Sequence, residues 1–212
     1  MPLTIHRPGI RPVVAAISLL PITLCYTGCR SQQLNSDAEP ELASDYGVPK
    51  YHFEYCELKP IEQKIDPTGG LASLASVIDY WEVESSEEKL AESYPQPDSG
   101  TSSVRKLRRI AMDEGLTAFA LAMKQSPLEQ LGEELKNGRP VIVSLELEGQ
   151  GYPGLEEQTA KLTGKRFAVV FGKSDAEFLL LDPGYGVLRL PKKSFETIWA
   201  AGKYGALICS AP

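Results

Sequence analysis

Helix-period residues in the first half of the domain and apolar runs in the second predict an α+β fold: an N-terminal helical lobe followed by an antiparallel sheet. Three observations carry this. Leu71, Leu74, Ala75, Ile78 and Trp81 recur at helical spacing. Val104, Leu107, Ile110 and Ala111 repeat the pattern. From Pro140 onward the apolar stretches are continuous and short, beginning with PVIVSLEL over 140–147.

The elements follow in order. Residues 1–28 read as an export signal of the lipoprotein type: Arg7 and Arg11, then an apolar stretch from Val13 to Leu24 broken by Pro21 and too short to span a bilayer. Tyr26-Thr27-Gly28-Cys29 resembles a bacterial lipoprotein cleavage box, with Tyr26 where Leu is usual, and it makes Cys29 the lipidation site. Residues 29–50 are polar, with Ser, Asn, Asp, Glu and Pro, and read as a flexible tether between lipid and domain. The domain is expected over 51–212. Tyr51 to Tyr55 alternates aromatic and polar residues, as an edge strand does.

Leu71 to Trp81 is the first helix, and Ser85-Ser86-Glu87-Glu88 opens a second with serine caps and acids in its first turn. Ser102 to Glu114 is a third, stopped by Gly115, and Ser126-Pro127 starts a fourth that ends at Asn137-Gly138. Strands are expected at 140–147, 167–171, 178–181, 187–190 and 205–209. Gly149 to Lys165 is Gly-rich and polar and reads as a surface loop.

Composition sets outer bounds. The 212 residues are 42% hydrophobic and 24% charged, which is ordinary for a globular chain. Net charge is −6, and because Arg7 and Arg11 carry the only charges of residues 1–28, the rest carries −8. Such a surface argues against nucleic acid as a partner. No Cys/His spacing suggests a metal, and no phosphate loop or nucleotide fingerprint suggests a cofactor. Cys56 and Cys209 are the two cysteines of the exported domain, and export makes a disulfide between them an expectation if their strands are neighbours; two buried thiols are the alternative. Glu87-Glu88 and Glu133-Glu134 read as solvated helix faces. Arg105, Lys106, Arg108 and Arg109 form a basic patch, either an exposed face or a contact for an acidic partner.

The order of pieces resembles a known family. Gln63 stands six residues before Gly69, Gly70 opens the helix LASLASVIDYW, and Gly100-Thr101-Ser102 precedes another helix. Gly138-Arg139-Pro140-Val141-Ile142-Val143, Asp182-Pro183, and Phe195 with Trp199 complete the set. Together they resemble the peptidases that cleave double-glycine leader peptides from bacteriocins, family C39, a papain-like group. The resemblance covers about residues 58–208 and implies a papain-like fold, with Gln63 at the oxyanion position and Asp182 orienting a catalytic His.

The chain departs from that pattern where the chemistry lies. Gly69 occupies the position of the nucleophilic Cys, and Arg166 the position of the His. Gly69 cannot attack a carbonyl, and a guanidinium stays protonated and cannot act as base. Gln63, Gly69, Arg166 and Asp182 are thus degenerate positions, and no catalytic residue is expected among them. A register shifted by one would put Thr68 at the nucleophile position and lose the match at Leu74. A salt bridge of Arg166 with Asp182 is expected in place of the His–Asp pair, because the link at 173–176 makes their strands antiparallel neighbours. Asp182 can also order the Asp-Pro-Gly turn, and Gln63 can bond backbone at the helix start. His52 is the one His beyond the signal.

Three functions compete. The first is a catalytically degenerate peptidase-like domain of a membrane-anchored envelope lipoprotein, exported to the periplasm or cell surface, binding a peptide or protein partner in the former active-site cleft. An exporter or its substrate fits that role. The second is an active cysteine-type peptidase using substitute residues, such as His52 with Cys56 or Cys209. The third is a structural envelope lipoprotein.

Overall fold

The computed structural model describes residues 54–95, 103–147 and 151–211. The signal, Cys29, the tether, His52 and the Gly100-Thr101-Ser102 turn lie outside the described residues. The chain is a mixed helix and antiparallel-sheet domain. Strands β1 (Glu54–Tyr55), β2 (Thr117–Ala122), β3 (Val141–Leu147), β4 (Gly164–Lys173), β5 (Glu177–Asp182), β6 (Gly186–Pro191) and β7 (Gly205–Ser210) form one seven-stranded sheet. Its order is β2-β7-β3-β4-β5-β6, with β1 added beside β4. Every pairing is antiparallel.

Helices cover both faces. On one face lie α1 (Gly70–Tyr80), α2 (Glu87–Ser93) and α3 (Val104–Asp113); they bury Leu71, Leu74, Leu90, Leu107 and Ile110 against Phe167, Val169, Leu179 and Leu207. On the other lie α4 (Pro127–Lys136) and α6 (Lys192–Ala201), with Leu131, Leu135, Phe195 and Trp199 against Val141, Val143, Ala168 and Leu180. This two-sided cover explains the continuous apolar runs of β3, β4 and β5, since both faces of each strand are buried. The sequence-based division into a helical lobe and a sheet is thus coarser than the architecture. Two helices of the second half or its border close the far face, and two strands come from the first half.

The helix starts obey local chemistry. Ser86 and Ser103 each accept a hydrogen bond from the backbone N–H three residues on, at 3.1 and 3.2 Å. Pro127 opens α4, where its missing N–H has no partner to lose. On the far face Phe178, Phe195 and Trp199 pack ring to ring at 4.9 and 5.2 Å, and the Trp199 indole N–H donates to the Gly205 carbonyl at 3.0 Å.

Strand β2 was not expected. Its sequence, TAFALA, buries Ala118 while Phe119 and Leu121 are 60% and 38% exposed, so the large apolar residues face away from the core and the usual alternation is inverted. Gly149 to Lys165 is also not a surface excursion throughout. It holds the short helix α5 (Glu156–Thr159), buries Tyr152 completely and supplies the start of β4.

Of the two readings of Cys56 and Cys209, the bridge does not form. Both residues are buried thiols. Cys56 follows β1, which pairs with β4, whereas Cys209 stands in β7, which pairs with β2 and β3, so among the described residues no ladder sets the two cysteines opposite each other. Burial pushes the Cys209 thiol up to about 12. Among the described residues no helix is long and apolar enough to cross a membrane.

Candidate functional site

The site is built where the loop before α1 meets the ends of β4 and β5. Two buried carboxylates hold that loop. Glu87, fully buried at the start of α2, accepts from the backbone N–H groups of Lys64, Ile65 (3.0 Å) and Asp66 (2.8 Å). Asp66 in turn accepts from the Thr68 N–H (3.0 Å), the Thr68 hydroxyl (2.7 Å) and the Leu71 N–H (3.2 Å), which caps the start of α1. Glu87 is therefore not part of a solvated face, as its sequence context suggests. An unpaired buried carboxylate would be costly, and three successive amides supply its partners.

The loop delivers Gly69 to the N-cap of α1, just before its first residue, in a left-handed conformation, φ 71° and ψ 8°, which glycine adopts without a Cβ penalty. The position is closed as well as strained for any other residue. A Cβ there would sit 3.2 Å from both Gln63 Oε1 and the Phe167 carbonyl, and 3.5 Å from Pro183 Cδ. Strand β4 docks on this turn: the Phe167 N–H donates to the Thr68 carbonyl at 2.8 Å, and the Ser73 hydroxyl donates to the Phe167 carbonyl at 3.2 Å.

Arg166 and Asp182 meet as the strand register requires. Leu181 is opposite Val169, so Asp182 at the end of β5 lies on the same sheet face as Arg166, a short step along β4. Arg166 Nε donates to Asp182 Oδ2 at 2.8 Å and Nη2 donates to Oδ1 at 2.7 Å, a two-pronged pair with both residues buried. The same Nη2 donates to Gln63 Oε1 at 3.0 Å, and Nη1 reaches the Pro67 carbonyl at 3.3 Å. Burial works against the guanidinium charge, but the adjacent Asp182 carboxylate outweighs it and holds the Arg166 pKa above its ordinary value.

Asp182 is saturated. Oδ1 also accepts from the Gly184 N–H at 2.7 Å, and Oδ2 from the Tyr152 hydroxyl at 2.6 Å. Asp182 thus does both things its sequence suggests, ordering the Asp-Pro-Gly turn and pairing with Arg166. Gln63 bonds the guanidinium through its side chain, while its N–H donates to the Pro183 carbonyl at 2.9 Å. Gly184 roofs the cluster: a Cβ on it would fall 2.6 Å from Arg166 Nη2 and 3.0 Å from Gln63 Oε1.

The structure therefore brings Gln63, Gly69, Arg166 and Asp182 into one cluster. Sequence reasoning missed Tyr152 and Glu87. Tyr152 is the lone aromatic residue of a polar stretch, which is the signal that could have found it. Its N–H donates to Thr159 Oγ1 at 2.7 Å, fixing the stretch, while burial first and then the Asp182 charge raise its hydroxyl pKa well above the ordinary value. As for chemistry, Thr68 has its hydroxyl committed to Asp66, Gly69 has no side chain, and Arg166 is a fixed donor. Among the described residues no group of His, Cys, Asp or Glu is placed to hold a metal ion.

Comparison with solved structures identifies the fold. The chain is similar to a double glycine motif protease from an AMS/PCAT transporter, solved with its leader peptide, at TM-score 0.56 and 20% identity over 74% of this chain and 94% of that one. It is similar to a C39-like peptidase from Bacillus anthracis at TM-score 0.56 and 17% identity, over 74% and 96%. It is also similar to the peptidase domain of Streptococcus ComA, a bi-functional ABC transporter of a quorum-sensing pathway, at 0.55 and 20%, over 73% and 98%. The chain has the papain-like fold of C39 double-glycine peptidase domains. No family model matches the sequence, and no curated protein matches it.

Proposed function

We propose that this chain is a catalytically degenerate C39-like domain of an exported lipoprotein, anchored through Cys29, that binds a peptide or protein partner. The observation that carries this reading is the Arg166–Asp182 fork beside a buried Gly69. In the enzymes a thiolate and an imidazole would occupy these two positions; here one is empty and the other holds a guanidinium locked by four acceptor contacts. The sequence alone placed the partner inside the former cleft. The buried Arg166 side chain on that floor, with Gly184 over it, supports a partner seated at the rim of the cleft. Ile65, two residues after Gln63, and Tyr185, next to Gly184, are 49% and 44% exposed and offer apolar contact there. Fold-level kinship with domains that bind leader peptides and belong to transporters makes an exporter or its substrate the partner class.

The test is titration of a dye-labelled double-glycine leader peptide onto the full chain in detergent. Saturable binding without cleavage, weakened by Ile65→Ala with Tyr185→Ala, supports the reading. Cleavage of the peptide at the double glycine overturns it, and no binding at all favours a structural envelope lipoprotein.

A further inference from the structure

Among the described residues the sheet has an open edge far from the Arg166 cluster, at β2, with β7 and β3 between it and β4. We propose that this edge takes up an extended peptide whose residues alternate between acidic and apolar, adding a strand to the sheet. The proposal is independent of the Arg166 site.

The backbone is ready for a strand. Thr117 to Ala122 pairs with Ser210 to Gly205 without a bulge, and Met123 N–H donates to the Tyr204 carbonyl, which places the odd-numbered residues in hydrogen bonds with β7. The even-numbered residues then point their N–H and C=O groups outward. Arg108 Nε, at 3.0 Å from the Ala118 carbonyl, confirms the direction, because a side chain of α3 reaches that oxygen from outside the sheet. Edges are usually blunted by a charge, a proline or a bulge. The stretch TAFALA itself carries none of these; the charge that reaches it is Arg108 of α3, which holds the Ala118 carbonyl and must give way there to an incoming strand.

The two faces of the edge differ, and this sets the chemistry of the occupant. On one face lies α3, whose exposed Arg108 reaches the carbonyl of the buried Ala118, with exposed Arg105 one helical turn away, in a domain that is otherwise acidic. On the other, Phe119, Leu121 and Ile208 floor an open groove of about 720 Å³ that wraps the edge as far as Ala120 and Arg108 and is walled by the Glu134–Arg139 ion pair. An added strand sends successive side chains to opposite faces. Carboxylates would meet the arginines, and apolar side chains would lie on Phe119 and Leu121. A second copy of this chain does not fit. Antiparallel pairing of two β2 edges in one continuous sheet sets the two α3 helices side by side, arginines against arginines.

The experiment measures fluorescence anisotropy of a labelled Thr-Glu-Val-Glu-Val-Glu-Thr peptide with the full chain in detergent. Saturable binding is expected, weaker by about tenfold or more for the peptide with Lys in place of Glu, and falling with salt. Arg105→Glu with Arg108→Glu should weaken it by a similar factor of about ten, and Phe119→Asp, at an exposed position, should do the same. N-methylation of alternate peptide amides tests strand addition without altering the protein: one of the two methylation patterns should abolish binding and the other should not. Tyr185→Ala should leave binding unchanged, which separates this surface from the rim of the Arg166 cluster. Equal binding of the Lys peptide, indifference to both methylation patterns, or no binding by the wild type would overturn the proposal, as would self-association through this edge.

Discussion

Arg166 grips Asp182 with two prongs, Nε to Oδ2 at 2.8 Å and Nη2 to Oδ1 at 2.7 Å, and both residues are removed from solvent. The fork holds the starts and ends of two central strands to the loop before α1. It is a structural joint.

That joint should be costly to break on one side. Arg166→Ala and Asp182→Ala should each destabilise the domain by about 3–5 kcal/mol, because each leaves a buried charge without its partner. The double variant should lose less than the sum of the two. Tyr152→Phe should cost less, about 1–3 kcal/mol, for the lost bond to Asp182 Oδ2. Urea unfolding at neutral pH reads all four; additive losses would show that the fork is not a unit.

Two substitutions that install a thiol and an imidazole should not produce a peptidase. Gly69→Cys with Arg166→His supplies a thiol and an imidazole, but a Cys at φ 71° is strained and its Cβ would press on Gln63 Oε1 and the Phe167 carbonyl at 3.2 Å. Removing Arg166 also strips Asp182 of its buried counter-charge. The expected result is no cleavage of a double-glycine leader peptide together with a lowered melting temperature; a thiol-sensitive cleavage activity would contradict this account.

Stability should fall in alkali. The Cys209 thiol sits at about 12 in the fold against an ordinary 9.0, and the Tyr152 hydroxyl is raised as well. Both pKa values are higher folded than unfolded, so the unfolded chain releases these protons first. Their contribution is complete below about pH 9 and is lost as pH climbs toward 12, with a slope of up to about 1.4 kcal/mol per pH unit for each group. Cys209→Ala should flatten the dependence measured by denaturant unfolding between pH 8 and pH 11. At neutral pH native Cys209 should resist an aromatic disulfide reagent and react once urea unfolds the chain.

The anchor is tested apart from the fold. Metabolic labelling with a fatty-acid analogue should mark the wild type and not Cys29→Ser, and the variant should leave the membrane fraction. Equal labelling of both would place the lipid elsewhere or remove it.

Much of the architecture was legible in the chain because the relevant signals are local. The helical spacing of Leu71, Leu74 and Ile78, the Ser86 and Ser103 caps and the apolar runs of β3 to β5 each follow from short-range periodicity or capping. The nearness of Arg166 and Asp182 was legible too, since the link at 173–176 makes β4 and β5 antiparallel neighbours; the register shift between Val170 and Gly172, which puts Asp182 on the Arg166 face, was not. The papain-like resemblance came from an ordered set of short motifs, and the solved structures support it at the level of fold.

Other features rest on contacts between residues distant in sequence, which no local pattern encodes. Glu87 reads as a surface acid in Ser-Ser-Glu-Glu, and tertiary packing makes it the anchor of residues 64–66. Tyr152 reads as part of a polar loop, and the fold brings it to Asp182, thirty residues on. Strand β2 hid because its large residues face out at an edge. Cys56 and Cys209 are set apart by strand order, which a list of cysteines does not contain. Chemistry by residue type was thus decided by the sequence: no side chain at 69, a permanent cation at 166. Whether those positions form an open cleft or a filled joint was decided by the tertiary structure, because burial and hydrogen-bond geometry arise when the loop, β4 and β5 close on one another.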